Sequence, residues 1–190
     1  MRLYIISPCR TKDIWRKRRA TFVLPQMSLA ILAALTPPDI EIKVTDELVD
    51  DIDFAYPADL VAISANSANA PRAYAVAELF RKHGAKVIMG GIHPSVMPEE
   101  ILQHADSVLI GEAENMWEGI LDDFRSGKMH QIYRRETYPD PAQIPNGRWD
   151  LLNTKRYYAP RTFQTSRGCP HGCSFCSSTQ FSETSPPISR

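Results

Sequence analysis

Five short apolar runs, Leu3 to Ile6, Ile42 to Val44, Leu60 to Ile63, Val87 to Met89 and Val108 to Ile110, recur along the chain with helical stretches between them. None alternates with polar residues, which is the pattern of strands covered on both faces rather than of a sheet with one wet side. Between the third and fourth runs, Ala73, Val76, Ala77 and Phe80 fall at i, i+3, i+4 and i+7, and Gly84 stands where a left-handed residue would end a helix. After the fifth run, Met116, Trp117, Ile120, Leu121 and Phe124 make a second apolar stripe, with Glu112 and Glu114 at its start and Gly127 beyond its end. Met27 to Leu35 is apolar on most sides, so a helix there should be largely buried. Strands and helices alternating at this spacing predict an α/β fold: a doubly wound parallel five-stranded sheet, flavodoxin-like or Rossmann-like, in the order 2-1-3-4-5 over residues 1–137.

The texture changes after that. Pro139, Pro141, Pro145 and Pro160, with Asn146-Gly147, predict an extended linker over residues 138–160. Residues 161–166 read as one further strand running into a cysteine-rich turn, and the tail from Ser182 to Arg190 reads as disordered. Acidic and basic residues balance at 22 each, so no global field draws the chain to nucleic acid or an anionic membrane. The basic run Arg16 to Arg19 reads chiefly as a solvated face. No apolar run approaches the length of a membrane span and no secretory signal is visible, so a cytoplasmic protein is expected.

The turn itself carries chemistry. Cys169, Cys173 and Cys176 stand at C-x3-C-x2-C spacing, with Gly168, Pro170 and Gly172 shaping the loop and Phe175 beside the last thiol. Three thiolates can hold three irons of a [4Fe-4S] cluster and leave the fourth open to an exogenous molecule. The competing reading is a structural iron or zinc site completed by His171 or the distant Cys9, although a closed zinc site usually pairs two clips and the second is missing. Disulfides fit worse, with three of the four cysteines crowded into eight residues. Cys9 reads as a small buried residue near the end of the first strand.

In an open α/β sheet, ligands bind beyond the carboxyl ends of the strands near the point where strand order reverses. Those ends read Ser7-Pro8-Cys9, Ser64-Ala65-Asn66-Ser67, Gly90-Gly91-Ile92-His93-Pro94-Ser95 and Gly111-Glu112-Ala113-Glu114. Small residues and short polar side chains make Ser64, Asn66, Gly90, Gly91 and Gly111 the candidate cofactor-binding positions. A dinucleotide fold would need G-x-G-x-x-G after the first strand and a P-loop protein its own glycine-rich lysine motif, and neither is present. A phosphorelay receiver would need acidic residues where Ser7 and Ser64 stand.

The cysteine run Thr165-Ser166-Arg167-Gly168-Cys169 to Phe175-Cys176 resembles the radical SAM superfamily. The resemblance implies that the open iron is chelated by S-adenosylmethionine, which is cleaved to a 5'-deoxyadenosyl radical, with Phe175 near the adenine. Residues 1–135 resemble the cobalamin (B12)-binding domain found ahead of the barrel in one large subgroup of those enzymes. The likeness rests on Ser64, on Gly90-Gly91-Ile92-His93-Pro94-Ser95 with Pro98-Glu99-Glu100, and on Ala105-Asp106 leading to Gly111-Glu112-Ala113-Glu114. It implies that Ser64, Gly90 and Gly91 line a cleft for the nucleotide tail of cobalamin, and that the full-length enzyme transfers methyl groups to unactivated carbon with electrons from a flavodoxin or ferredoxin. The Asp-x-His-x-x-Gly motif of classical B12 domains is missing after the first strand, so no histidine from that loop is expected on cobalt, and His93 reads as a hydrogen-bonding cap. Only 14 residues follow Cys176, whereas a barrel needs roughly 150 to 200 more. A truncated start of the radical SAM domain over residues 161–190 is therefore expected, inactive alone, as a truncated reading frame or a split gene would give. The alternative is a stand-alone cobalamin or other cofactor-binding module.

Overall fold

The computed structural model describes residues 1–9, 23–164, 167–169, 171 and 173–176. The basic run at 16–19 and the tail from 182 lie outside the described residues, so the readings made of them are not taken further.

Among the described residues, six parallel strands form one sheet in the order β2-β1-β3-β4-β5-β6. They are β1 (Arg2–Ser7), β2 (Glu41–Asp46), β3 (Leu60–Ser64), β4 (Lys86–Gly90), β5 (Ser107–Ile110) and β6 (Ile132–Arg134). The first five take the expected order. β6 is additional to the five expected strands, for a physical reason: it is three residues long, Ile132 and Arg134 are exposed, and an edge strand held mainly by backbone pairing to β5 leaves no apolar run to read.

The helices are α1 (Met27–Leu35), α2 (Ala70–Lys82), the short α3 (Ile92–Val96) and α4 (Pro98–Ile101), and α5 (Trp117–Arg125). Each central strand sends successive side chains to opposite faces, and both faces are covered. On one face Leu3, Ile5, Leu60, Ala62, Ile88 and Leu109 pack against α1 and α5. On the other, Tyr4, Ile6, Val61, Ile63, Val87 and Met89 pack against the α2 stripe of Ala73, Val76, Ala77 and Phe80. Trp117, Tyr4 and Phe80 are fully buried, and side chains of this size each contribute about 1.5–3 kcal/mol by leaving water. α1 has no side-chain cap at its N-terminal end and no charged residue in its end turns. Its place is set by burial of Leu29, Ala30, Ile31 and Ala33.

Residues 138–160 cross the surface in three 3-10 turns, Pro141–Gln143, Trp149–Leu151 and Thr154–Arg156. They also enter the core, because Leu152 and Tyr157 are buried against the α1 face. The Arg148 N–H donates to the Ala30 carbonyl at 2.9 Å and the Tyr158 N–H to the Val23 carbonyl at 2.8 Å, so this segment straps α1 to the sheet. Of the strand expected over residues 161–166, the described part, 161–164, is irregular and pairs with no described strand.

Candidate functional site

The order reverses between β1 and β3, and the space beyond the carboxyl ends of β3, β4 and β5 opens into a cavity of about 450 Å³. That volume falls within the range of small-molecule and cofactor pockets. Its walls are apolar. Leu29, Leu32 and Leu35 of α1 face Ile88 and Leu109 of the sheet, with Trp117 of α5 behind them. Trp117 is held in place by its indole N–H, which donates to Thr36 Oγ1 at 2.9 Å, while that hydroxyl donates to the Leu32 carbonyl at 2.8 Å. One contact chain thus ties α5 to the end of α1 and sets the width of the slot.

Polar groups gather at the rim. Ser28 Oγ of α1 and Ser64 Oγ of β3 lie 3.4 Å apart. The loops after β4 and β5 are joined through Ser95, whose hydroxyl accepts from the Gly111 N–H at 2.9 Å and donates to the Gly91 carbonyl at 2.8 Å. Beyond Gly111, Glu112 and Glu114 line the mouth, and Arg167 reaches in to meet both.

Of the strand-end candidates, Ser64, Gly90, Gly91 and Gly111 line this cavity. Asn66 instead builds a turn. Its side-chain oxygen accepts from the Ala68 and Asn69 N–H groups at 2.9 and 3.1 Å, closing the chain into α2. Gly91 is needed for a reason other than ligand approach. It has φ +108, and a Cβ there would stand 2.5 Å from the Ala65 carbonyl oxygen, so the β3 and β4 loops cross at backbone contact. At Gly90 a Cβ would meet only Leu109 at 3.6 Å, ordinary contact distance.

On the β1 side the edge is filled. Glu47, fully buried, is gripped by Arg72 through Nη2 at 2.6 Å and Nε at 3.0 Å, and accepts from the Cys9 N–H at 2.9 Å. Asn69 donates to the Pro8 carbonyl at 2.8 Å. Cys9 is half-buried just past β1, not fully enclosed. His93, read as a hydrogen-bonding residue, has Nε2 2.7 Å from the Tyr74 hydroxyl and Nδ1 3.4 Å from Ser67 Oγ. Tyr74 also donates to Glu100 at 2.7 Å, and burial first, then that carboxylate, raises its phenol well above the ordinary range.

Cys169 and Cys176 are half-buried, while Cys173 and Phe175 are exposed, Phe175 at 91%. The Cys176 N–H donates to the Cys173 carbonyl at 3.1 Å, a tight turn between the last two thiols. Among the described residues no three His, Cys, Asp or Glu side chains are gathered closely enough to hold a metal ion. The three-thiol donor set suits an iron–sulfur cluster, while the described geometry does not converge on one. No described helix is long and apolar enough to cross a membrane.

The rim glycines and Ser64 are legible in the sequence, whereas the walls of the slot are not. α1 reads as buried, yet nothing in its composition says that part of its apolar surface faces a cavity. Arg167 reads only as part of the cysteine motif, and no local signal places it at the cavity mouth.

Comparison with known proteins converges on the same region. A family model for the B12 binding domain matches residues 20–121. The bacteriochlorophyllide d C-8(2)-methyltransferase of Chlorobaculum tepidum is 36% identical over an alignment of 166 residues that covers 82% of this chain and 36% of that protein. The bacteriochlorophyllide d C-12(1)-methyltransferase of the same organism is 32% identical over 157 residues, 79% of this chain and 34% of its own length. An uncharacterized methyltransferase of Pyrococcus horikoshii is 27% identical over an alignment of 211 positions that covers 94% of this chain and 46% of its own length. The chain thus spans less than half the length of each of these curated relatives.

Proposed function

The chain belongs to the B12-binding domain family, and on that premise we propose that the cavity beneath the β3, β4 and β5 ends takes the nucleotide tail of cobalamin. The observation that carries this is the chemistry of the slot. Leucine, isoleucine and tryptophan walls suit a flat, largely apolar heteroaromatic base, and a rim of Ser28, Ser64 and Ser95 suits the polar sugar and phosphate that join the base to the corrin. Among the described residues no histidine lines the slot, and its walls are left to apolar side chains. When bound, cobalamin supplies a cobalt centre able to carry a methyl group. The chain's own residues bind and orient it and keep water from its buried tail.

Two relatives over a third of whose length this chain aligns are methyltransferases acting on bacteriochlorophyllide d by their names, and we extend the proposal to methyl transfer at an unactivated carbon in the protein of which this sequence would form part. In that reading Cys169, Cys173 and Cys176 would hold a [4Fe-4S] cluster, which would supply the electron for cleaving S-adenosylmethionine. Phe175 would lie beside the adenine, and a flavodoxin or ferredoxin would supply electrons. Residues 1–137 form the cobalamin domain in this reading.

Titration of the purified chain with hydroxocobalamin tests the first part. Saturable binding, seen as a change in the visible spectrum and co-elution on gel filtration, is expected, and Ser64→Phe, which pushes a ring into the slot, should weaken it by about tenfold or more, a loss of ~1.4 kcal/mol or greater. An unchanged spectrum with no co-elution rejects the B12 reading. Anaerobic reconstitution with iron and sulfide tests the second: an EPR signal altered by S-adenosylmethionine supports it, and a saturated four-ligand zinc at those thiols rejects it.

A further inference from the structure

Arg167 precedes the first thiol of the cysteine run by two residues, yet its guanidinium sits in the mouth of the cofactor cavity. Its three nitrogens are all engaged. Nε donates to Gln164 Oε1 at 3.0 Å, Nη1 to Glu112 Oε1 at 3.0 Å and Nη2 to Glu114 Oε1 at 2.5 Å. The second oxygen of Glu112 accepts from Arg135 Nη1 at 2.9 Å, and the Arg135 guanidinium lies 3.7 Å over the Tyr138 ring. Two arginines and two glutamates thus balance in charge, with side chains only 11–21% exposed, where charge-assisted hydrogen bonds are weakly screened by salt.

The acidic side of this network is not free to follow the arginine. Gly111, at φ +97, launches the Glu112–Glu114 loop, and a Cβ there would press against Arg135 at 2.9 Å. Its N–H is anchored on Ser95, which is itself anchored on Gly91. The sheet therefore presents a fixed pair of carboxylates, and the segment entering the cysteine run is the part that must be brought to them.

We propose that Arg167 is a latch: a positioning residue that seats the start of the cysteine run on the mouth of the cavity, so that the setting of Cys169 and the occupancy of the cavity are coupled. The seating stands on the geometry alone, and the coupling to cobalamin rests on the function proposed above. Because Glu112, Glu114 and Arg167 line the same cavity, a ligand that closes over the rim packs against the latch, and a closed latch completes the rim for the ligand. Coupling of this kind is reciprocal.

Thiol alkylation resolves the two parts. In the cluster-free 190-residue chain, iodoacetamide labelling is followed by peptide mass spectrometry at Cys169, with exposed Cys173 as the internal reference and Cys9 as the fold control. Arg167→Ala, and separately Glu112→Gln with Glu114→Gln, should raise the Cys169 to Cys173 rate ratio by about fivefold or more, the lower end of usual coupling. Arg167→Lys should recover part of the protection, since it keeps the charge but loses the fork. Saturating hydroxocobalamin should slow Cys169 labelling in the wild type and not in Arg167→Ala, and should bind Arg167→Ala more weakly by a matching factor. An unchanged ratio in both variant sets, with Cys9 labelling unaltered, overturns the latch. If the ratio rises but the wild type binds no hydroxocobalamin, the latch is upheld as a seat and the cofactor reading falls.

Discussion

At the scale of single residues, Gly90 and Gly91 show how two neighbours that read alike in sequence answer to different constraints. Both suggest a backbone kept bare for a ligand. In the structure Gly91 is bare because the Ala65 carbonyl occupies the place of its Cβ at 2.5 Å, and its φ of +108 is one that side chains rarely adopt. Gly91→Ala should therefore destabilise the fold by ~2–4 kcal/mol, combining backbone strain with a displaced loop. Gly90→Ala meets only Leu109 at van der Waals distance, so its stability should stay within about 1 kcal/mol of wild type, while a methyl added to the cavity lining trims the slot. Urea denaturation of both variants checks the contrast, and equal losses would show that the loop crossing at Ala65 is not the constraint. The pair of glycines is legible as a motif. The carbonyl that demands the second one is not, because it comes from the end of a different strand, far back in the sequence.

At the scale of elements, the strap over residues 138–160 is the part whose role sequence alone leaves open. Four prolines and an Asn-Gly pair mark a chain that cannot join the sheet, and the absence of regular strands or long helices follows from them. What composition cannot show is that Tyr157 turns inward, buried, and donates its hydroxyl to Asp46 Oδ2 at 3.0 Å at the end of β2. Such a contact spans 111 residues, and one aromatic among several gives no periodic signal. Burial raises the Asp46 carboxyl above its ordinary value of 3.8, against the lowering effect of the Leu48 N–H and Tyr157 hydrogen bonds. The sign of the consequence follows from linkage. A carboxyl whose folded pKa exceeds its unfolded one binds protons more tightly when folded, so its contribution to stability is greatest below the unfolded value and is lost as pH rises through the folded one. Asp46→Asn removes that titration. Its stability relative to wild type should shift in its favour as pH rises from about 4, the ordinary carboxyl value, upward, read from paired urea melts. A shift the other way would mean that the two hydrogen bonds outweigh burial.

At the scale of the whole molecule, the strand order is legible because five buried parallel strands announce themselves by unbroken apolar runs, and right-handed crossovers leave few ways to connect them. The cavity is legible only as an edge. Its depth arises where α1 and α5 stand apart over Ile88 and Leu109, a spacing set by the Trp117 to Thr36 hydrogen bond and the strap rather than by any local motif. On the proposal that the slot takes cobalamin, its depth bears on the ligand as a whole: the part expected to enter is the nucleotide tail, not the corrin. A ligand that binds only the folded chain at about a hundredfold excess over its Kd stabilises it by ~2.7 kcal/mol. For a chain of this size that corresponds to a rise in Tm of roughly 5–10 °C. Hydroxocobalamin should give such a rise, and cobinamide, which keeps the corrin and cobalt but lacks the nucleotide tail, should give less than about half of it at the same concentration, since the tail carries the apolar burial. The Ser64→Phe variant should respond to the two compounds alike, its slot being filled. Equal shifts from both compounds on the wild-type chain would place the corrin rather than the tail against this sheet edge, and the leucine-walled slot would need another occupant.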